Sequence, residues 1–195
     1  MIPAHPTMTL TRTLRATAAA ALLAAVALHP ALAQKVRLST SAGDIVVELD
    51  KEKSPRSVDN FVQYVKAGHY DGTIFHRVID NFMIQGGGMK ADMTEKQTRA
   101  PIPLESRNGL QNVRGTIAMA RTNIPDSATS QFFINVKDNA FLDAGPGKDG
   151  YAVFGKVVSG MEVVDQIKAT PVATKGPHQN VPVQPILIKK ASLEN

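Results

Sequence analysis

Phe75-His76-Arg77-Val78-Ile79-Asp80-Asn81-Phe82-Met83-Ile84-Gln85-Gly86-Gly87 is the stretch on which the reading of the chain turns. It holds two strand-like runs, Thr73 to Ile79 and Phe82 to Gln85, rich in the β-branched and aromatic residues that suit a half-buried pleated surface. Upstream, Val36 to Thr40 and Ile45 to Leu49 flank Ser41-Ala42-Gly43-Asp44, where glycine can take the positive φ of a tight turn, so an opening hairpin is expected. Ser54 then offers a side-chain cap and Pro55 a preset first helical φ. Val58, Phe61, Val62 and Val65 follow at the spacing of one buried helical face, and Gly68 is placed to end the helix. Downstream, Thr116 to Ala120, Gln131 to Asn135, Ala152 to Val158 and Ile186 to Lys190 read as strands. Met161 to Ile167 reads as a second short helix with Met161, Val164 and Ile167 on one side, while 90 to 112 and 143 to 150 read as long surface loops. Many strand-like runs against two helices make the chain mainly β and favour a closed barrel, because closure removes the edges an open sheet must protect.

The N-terminal segment fits none of this. Arg12 and Arg15 precede an alanine-rich apolar run from Ala16 to Leu28 that ends in Ala31-Leu32-Ala33, the order of a secretory signal peptide. The apolar run is shorter than the roughly 20 residues that span a bilayer, so cleavage after Ala33 is expected, with no stable membrane insertion afterwards. Residues 1 to 33 are then leader and residues 34 to 195 a single domain. Losing Arg12 and Arg15 lowers the formal charge from the +5 of the full chain by two. The remaining basic residues are scattered, apart from Lys189-Lys190, so no clustered patch for phosphate neutralisation exists and nucleic acid is not an expected partner. With no cysteine in the chain, a disulfide framework, a thiolate zinc site and a cysteine nucleophile are excluded together.

The opening stretch continues into Ile117-Ala118-Met119-Ala120-Arg121, Ser130-Gln131-Phe132-Phe133-Ile134-Asn135, Ala140-Phe141-Leu142-Asp143 and Tyr151-Ala152-Val153-Phe154-Gly155-Lys156-Val157. In order and spacing these motifs resemble those of the cyclophilin-type peptidyl-prolyl cis-trans isomerases, over about Val36 to Ala191, and their wording is most similar to the exported cyclophilins of Gram-negative bacteria. The resemblance implies a closed eight-stranded antiparallel barrel capped by two α-helices, with a substrate groove on its outer face. It implies Arg77 as the catalytic residue, and Phe82, Met83, Gln85, Ala120, Arg121, Gln131, Phe133, Phe141, Leu142 and Tyr151 as substrate-binding residues. It also implies periplasmic location, proline-containing unfolded or partly folded polypeptides as partners, a monomer, and neither cofactor nor metal. Two features depart from the common family pattern. Phe141 stands where many relatives have a tryptophan whose indole N–H binds cyclosporin, so weak cyclosporin binding is expected. Tyr151 and Arg121 replace a common histidine and asparagine.

The residue types suit the chemistry. Amide resonance opposes rotation by about 18–20 kcal/mol, and X-Pro isomers exchange over tens to hundreds of seconds. A permanently charged guanidinium at Arg77 can donate to the prolyl nitrogen as it pyramidalises, a bond made mainly in the transition state. Phe82, Met83, Phe133 and Leu142 would hold the proline ring, Gln85 would bond a backbone group near the rotating amide, and the Arg121 main chain would pair with the extended peptide. Rival readings are weaker. Gly86-Gly87-Gly88 and Gly145 to Gly150 lack the strand, loop and helix order of a phosphate site. His69 and His76 have no ligand pattern around them, and no nucleophile triad is recognisable. Strand alternation turns His76 away from Arg77, as a hydrogen-bonded structural histidine. A binding module that grips proline segments without turnover is the rival from another class, and replacement of Arg77 separates the two.

Overall fold

A computed structural model describes residues 34 to 194, together with Met1 and Pro3. The expected leader and its cleavage site otherwise fall outside the described residues. The opening hairpin forms as read: β1 (Lys35–Thr40) pairs antiparallel with β2 (Asp44–Leu49), and Gly43 turns between them at φ 133°. Helix α1 (Pro55–Lys66) begins at the proline, and Val58, Phe61, Val62 and Val65 are all buried.

The expected Ser54 cap is not made. Ser54 is fully buried and its hydroxyl donates 2.7 Å to the Val153 carbonyl instead. The free N–H groups of the first turn are met from the long segment 90 to 112. Glu105 accepts from the Arg56 N–H at 3.0 Å, and from the Ser57 N–H and hydroxyl at 2.8 Å each. A carboxylate suits that end of a helix, where the peptide dipoles leave partial positive charge.

The remaining elements are β3 (Thr73–Ile79), β4 (Met83–Lys90), β5 (Thr116–Met119), β6 (Phe132–Asn135), β7 (Val153–Ser159), α2 (Met161–Lys168), β8 (Val172–Lys175), β9 (His178–Pro182) and β10 (Leu187–Glu194). Eight strands close an antiparallel barrel in the order β1, β10, β3, β4, β6, β5, β7, β2. β8 and β9 form a separate hairpin. No strand was expected there, because β8 is exposed along its whole length and has no buried face to impose a period of two. Phe82, Ala120, Gln131 and Ala152 lie just outside the strands expected to contain them, whereas β4 and β10 run several residues further than expected.

Gly86-Gly87-Gly88 lies within β4, in the barrel wall. At Gly87, φ is 86° and a Cβ would come within 2.8 Å of the rings of both Phe132 and Tyr70, so the run serves close packing. Inside, one cluster joins the barrel interior to α1, through Val58 and Phe61, and to α2, through Val164 and Ile167. Phe61 stands 5.1 Å from Tyr70, 5.5 Å from Phe132 and 5.1 Å from Phe154 between ring centroids. Each fully buried ring of this kind contributes about 1.5–3 kcal/mol of apolar burial. The barrel interior is therefore a packed core, and any site must lie on the outside.

Candidate active site

Strand register assembles the site. Val78, Ile84, Ile134 and Ile117 form one row across β3, β4, β6 and β5, and all belong to the interior cluster. One residue along, Arg77 pairs with Gln85, Gln85 with Phe133, Phe133 with Ala118, and Ala118 with Val153 of β7. Successive side chains on a strand face opposite ways, so this second row lies on the outer surface. A second apolar cluster sits there, made of buried Met83, Ala118, Phe133, Leu142 and Val153 and edged by Phe82, Leu110, Ala120 and Tyr151. All the residues expected to form a groove meet on this one face. Ala118, Val153 and Leu110 were not among them, although register alone brings the first two in.

The rim is aromatic and cationic. Phe141 is 58% exposed and stacks on Phe82 with centroids 5.4 Å apart and planes 30° apart. Tyr151 meets Phe133 edge-on at 5.6 Å, and the Arg121 guanidinium lies 4.6 Å above the Tyr151 ring. The Arg121 side chain donates to the Gly150 carbonyl at 3.0 and 2.9 Å and to the Thr122 carbonyl at 2.8 Å. It therefore braces the loop that carries Tyr151, a role that no local sequence signal announces.

Arg77 is half-buried, and its Nη1 donates to Gln85 Oε1 at 3.3 Å. Among the described residues no carboxylate lies within ion-pair distance of it. Gln85 Nε2 in turn donates to Gln131 Oε1 at 2.9 Å. The remaining guanidinium donors are free to meet a molecule in the groove.

Alternation does not separate His76 from Arg77. The β3–β4 register shifts between Phe75 and Arg77, inserting an extra residue there, so Phe75 and Val78 both face the core and the period of two is broken at His76. His76 is buried; its Nδ1 has no well-aligned hydrogen-bond partner among the described residues, while a bond to the Ile74 backbone favours the charged ring slightly. Desolvation, with nearby His178 opposing a second positive charge, lowers its pKa to about 4. A neutral imidazole is the result at ordinary pH.

The aromatic wall is held from beneath by buried amides. Asn139 Nδ2 donates at 2.8 Å to both the Phe82 carbonyl and Asn135 Oδ1. Asn135 donates to Asn112 Oδ1 at 3.2 Å and to Thr116 Oγ1 at 2.9 Å. Asn112 donates from its side chain to Asp143 Oδ1 at 2.9 Å, which ties the segment bearing Phe141 and Leu142 to the barrel.

The closed eight-stranded antiparallel barrel with its two helices matches solved cyclophilin structures. Residues 35 to 193 match the family model described as cyclophilin type peptidyl-prolyl cis-trans isomerase/CLD. The chain belongs to this family and is a peptidyl-prolyl cis-trans isomerase. Its relatives include peptidyl-prolyl cis-trans isomerase A of Dickeya dadantii, 60% identical over 81% of this chain and 83% of that protein. They also include peptidyl-prolyl cis-trans isomerase B of Escherichia coli, 50% identical over 81% of this chain and 98% of that protein. A cyclophilin-type isomerase of Cryptosporidium parvum, crystallised in the presence of the dipeptide Ala-Pro, is similar in structure at TM-score 0.69 and 28% identity, covering 83% of this chain and 99% of that one.

Proposed function

We propose that Arg77 drives the isomerisation by donating to the prolyl nitrogen as the X-Pro bond twists, while Met83, Phe133 and Leu142 hold the proline ring. The observation that carries this reading is the shared register row. It sets a cation with free donors beside a buried apolar niche, with Gln85 between them. A planar amide nitrogen is a poor acceptor, and it gains a lone pair only as it pyramidalises, so the bond favours the transition state over the bound substrate. The niche excludes water, which strengthens the charge-assisted bond. Such a bond contributes about 1.5–3 kcal/mol, roughly ten- to 150-fold in rate.

The clients are exported polypeptides met in the periplasm. The support is the leader-like segment, with its basic start, apolar middle and small-residue end. The enzyme acts as a monomer, without cofactor or metal, on proline-containing segments that are unfolded or partly folded. The lining of the niche is apolar, so recognition of the proline depends little on its neighbours. Cyclosporin binds weakly, because Phe141 has no donor to offer it.

The test compares the mature domain with Arg77→Ala in a peptide isomerisation assay, with peptide binding followed in parallel. Turnover should fall at least tenfold while peptide still binds. Unchanged turnover would refute the role of Arg77. Binding without turnover in the unmodified protein would favour a gripping module. The intact mass of protein recovered from the periplasmic fraction checks the leader, with loss of the residues up to about Ala33 expected.

A further inference from the structure

Arg77 stands at one end of a run of hydrogen bonds. Its Nη1 donates to Gln85 Oε1 at 3.3 Å, Gln85 Nε2 donates to Gln131 Oε1 at 2.9 Å, and Gln131 Nε2 donates to Glu95 Oε1 at 3.4 Å. We propose that Glu95 is a positioning residue for the isomerase reaction: it anchors the far end of this amide chain and so sets the direction in which Gln85 meets the Arg77 guanidinium. The inference rests on the reading of Arg77 given above.

The logic is one of donors and acceptors. A guanidinium only donates and an ionised carboxylate only accepts, whereas a glutamine amide can be turned either way. With a donor at one end and an acceptor at the other, both amides satisfy every link in one orientation alone. Gln85 then presents its oxygen to Arg77. A donor at position 95 would place donors at both ends, and with one bond per amide oxygen two amides cannot satisfy all three links. A lysine ammonium there makes a charge-assisted bond, so it would take the Gln131 oxygen, turn both amides and place the conflict on the 3.3 Å bond that holds Arg77.

Glu95 is solvent-exposed, yet its backbone is pinned. It forms a β-bridge with Met89, and the next residue donates its N–H to the Gly88 carbonyl at 2.9 Å. The Lys96 ammonium donates to the His69 carbonyl at 2.6 Å and the Asp71 carbonyl at 3.1 Å, which fastens the segment to the turn that follows α1. Gly88 leaves room for the middle of the chain, since a Cβ there would lie 2.5 Å from Gln131 Cγ.

The experiment measures kcat and KM for the mature domain, Arg77→Ala, Glu95→Gln, Glu95→Lys and the pair Glu95→Lys with Gln131→Glu. Thermal unfolding of each is recorded at low and high salt. A glutamine side chain can still accept, so E95Q should stay within about twofold of the parent. E95K should lower kcat about three- to tenfold with KM within twofold, and the loss should persist at high salt, where a long-range charge effect is screened. In the paired variant the introduced carboxylate can accept both from the introduced ammonium and from Gln85, so kcat should rise well above that of E95K, while KM can change because Gln131 itself lines the groove. Full activity of E95K alongside an inactive R77A would overturn the positioning role and leave Arg77 standing. A loss in E95K that Q131E fails to rescue would overturn it too, because the damage would not run through the amide chain. An active R77A would instead remove the reading on which the inference rests.

Discussion

Asn139 offers the sharpest test of how the fold supports the groove. It is 1% exposed, and its amide nitrogen donates at 2.8 Å to the Phe82 carbonyl and to Asn135 Oδ1. Alanine removes both bonds. The Phe82 carbonyl still receives the Val136 N–H at 3.1 Å, so its loss is partial, but Asn135 Oδ1 is left without another donor among the described residues. Two net hydrogen bonds at about 1 kcal/mol each, with the stranded Asn135 Oδ1 offset by removal of Asn139 Oδ1, itself buried without a partner among the described residues, put Asn139→Ala at about 2 kcal/mol. For a domain of this size that is a fall in Tm of about 4–8 °C. Asn139→Asp keeps the shape but sets acceptors against acceptors, or forces a buried carboxyl to stay protonated, so it should be at least as damaging as alanine. Thermal unfolding by circular dichroism reads the stability, and peptide isomerisation reads the site. With Phe82 held by one bond instead of two, the Phe82–Phe141 wall should loosen and KM should rise about threefold, roughly 0.7 kcal/mol, with kcat less affected. An Asn139→Asp protein within about 2 °C of the parent would show that the amide does not donate to these groups.

Acid should destabilise the protein through His76. Its pKa is about 4 when folded against about 6.5 when unfolded, so the unfolded chain binds more protons between those values and stability falls as pH drops from 6.5 towards 4. The loss approaches about 3 kcal/mol in order of magnitude, and denaturant titrations across that range should show a steeper decline for the parent than for His76→Phe. Equal slopes would mean that His76 is not held neutral. Cyclosporin should inhibit weakly, and Phe141→Trp should tighten inhibition about tenfold by restoring a donor at an exposed position, as read in a competition assay. Nanomolar inhibition of the parent would contradict the role given to Phe141.

Helix α1, the opening hairpin and α2 were legible because their signals are local. Four apolar residues at helical spacing, a proline at the first turn and a glycine in a turn each act within a few positions of themselves. The Ser54 cap was misread because a competing acceptor, the Val153 carbonyl, lies far away in the chain, as does the Glu105 carboxylate that replaces it. The break in alternation at His76 escaped for a related reason. A bulge is a property of two paired strands, and the composition of one of them does not reveal it. In the β8–β9 hairpin β8 is exposed throughout and β9 buries only the adjacent Val181 and Pro182, so no alternation marked it.

Side-chain chemistry belongs to the amino-acid sequence: a permanent cation at Arg77, oily residues at Met83, Phe133 and Leu142, and no thiol anywhere. So do the short-range choices of helix and strand, and, through motif resemblance, the family. The neighbours of each strand were decided only when the barrel closed and aligned Arg77 with Gln85, Phe133, Ala118 and Val153. The tertiary fold also gave Arg121 the Gly150 carbonyl, Gln131 its link to Glu95 and Asn139 its hold on Phe82. Periodicity tells which side of a strand is oily. Which strand lies beside it depends on packing across residues far apart in the chain, and the groove exists only where those rows meet.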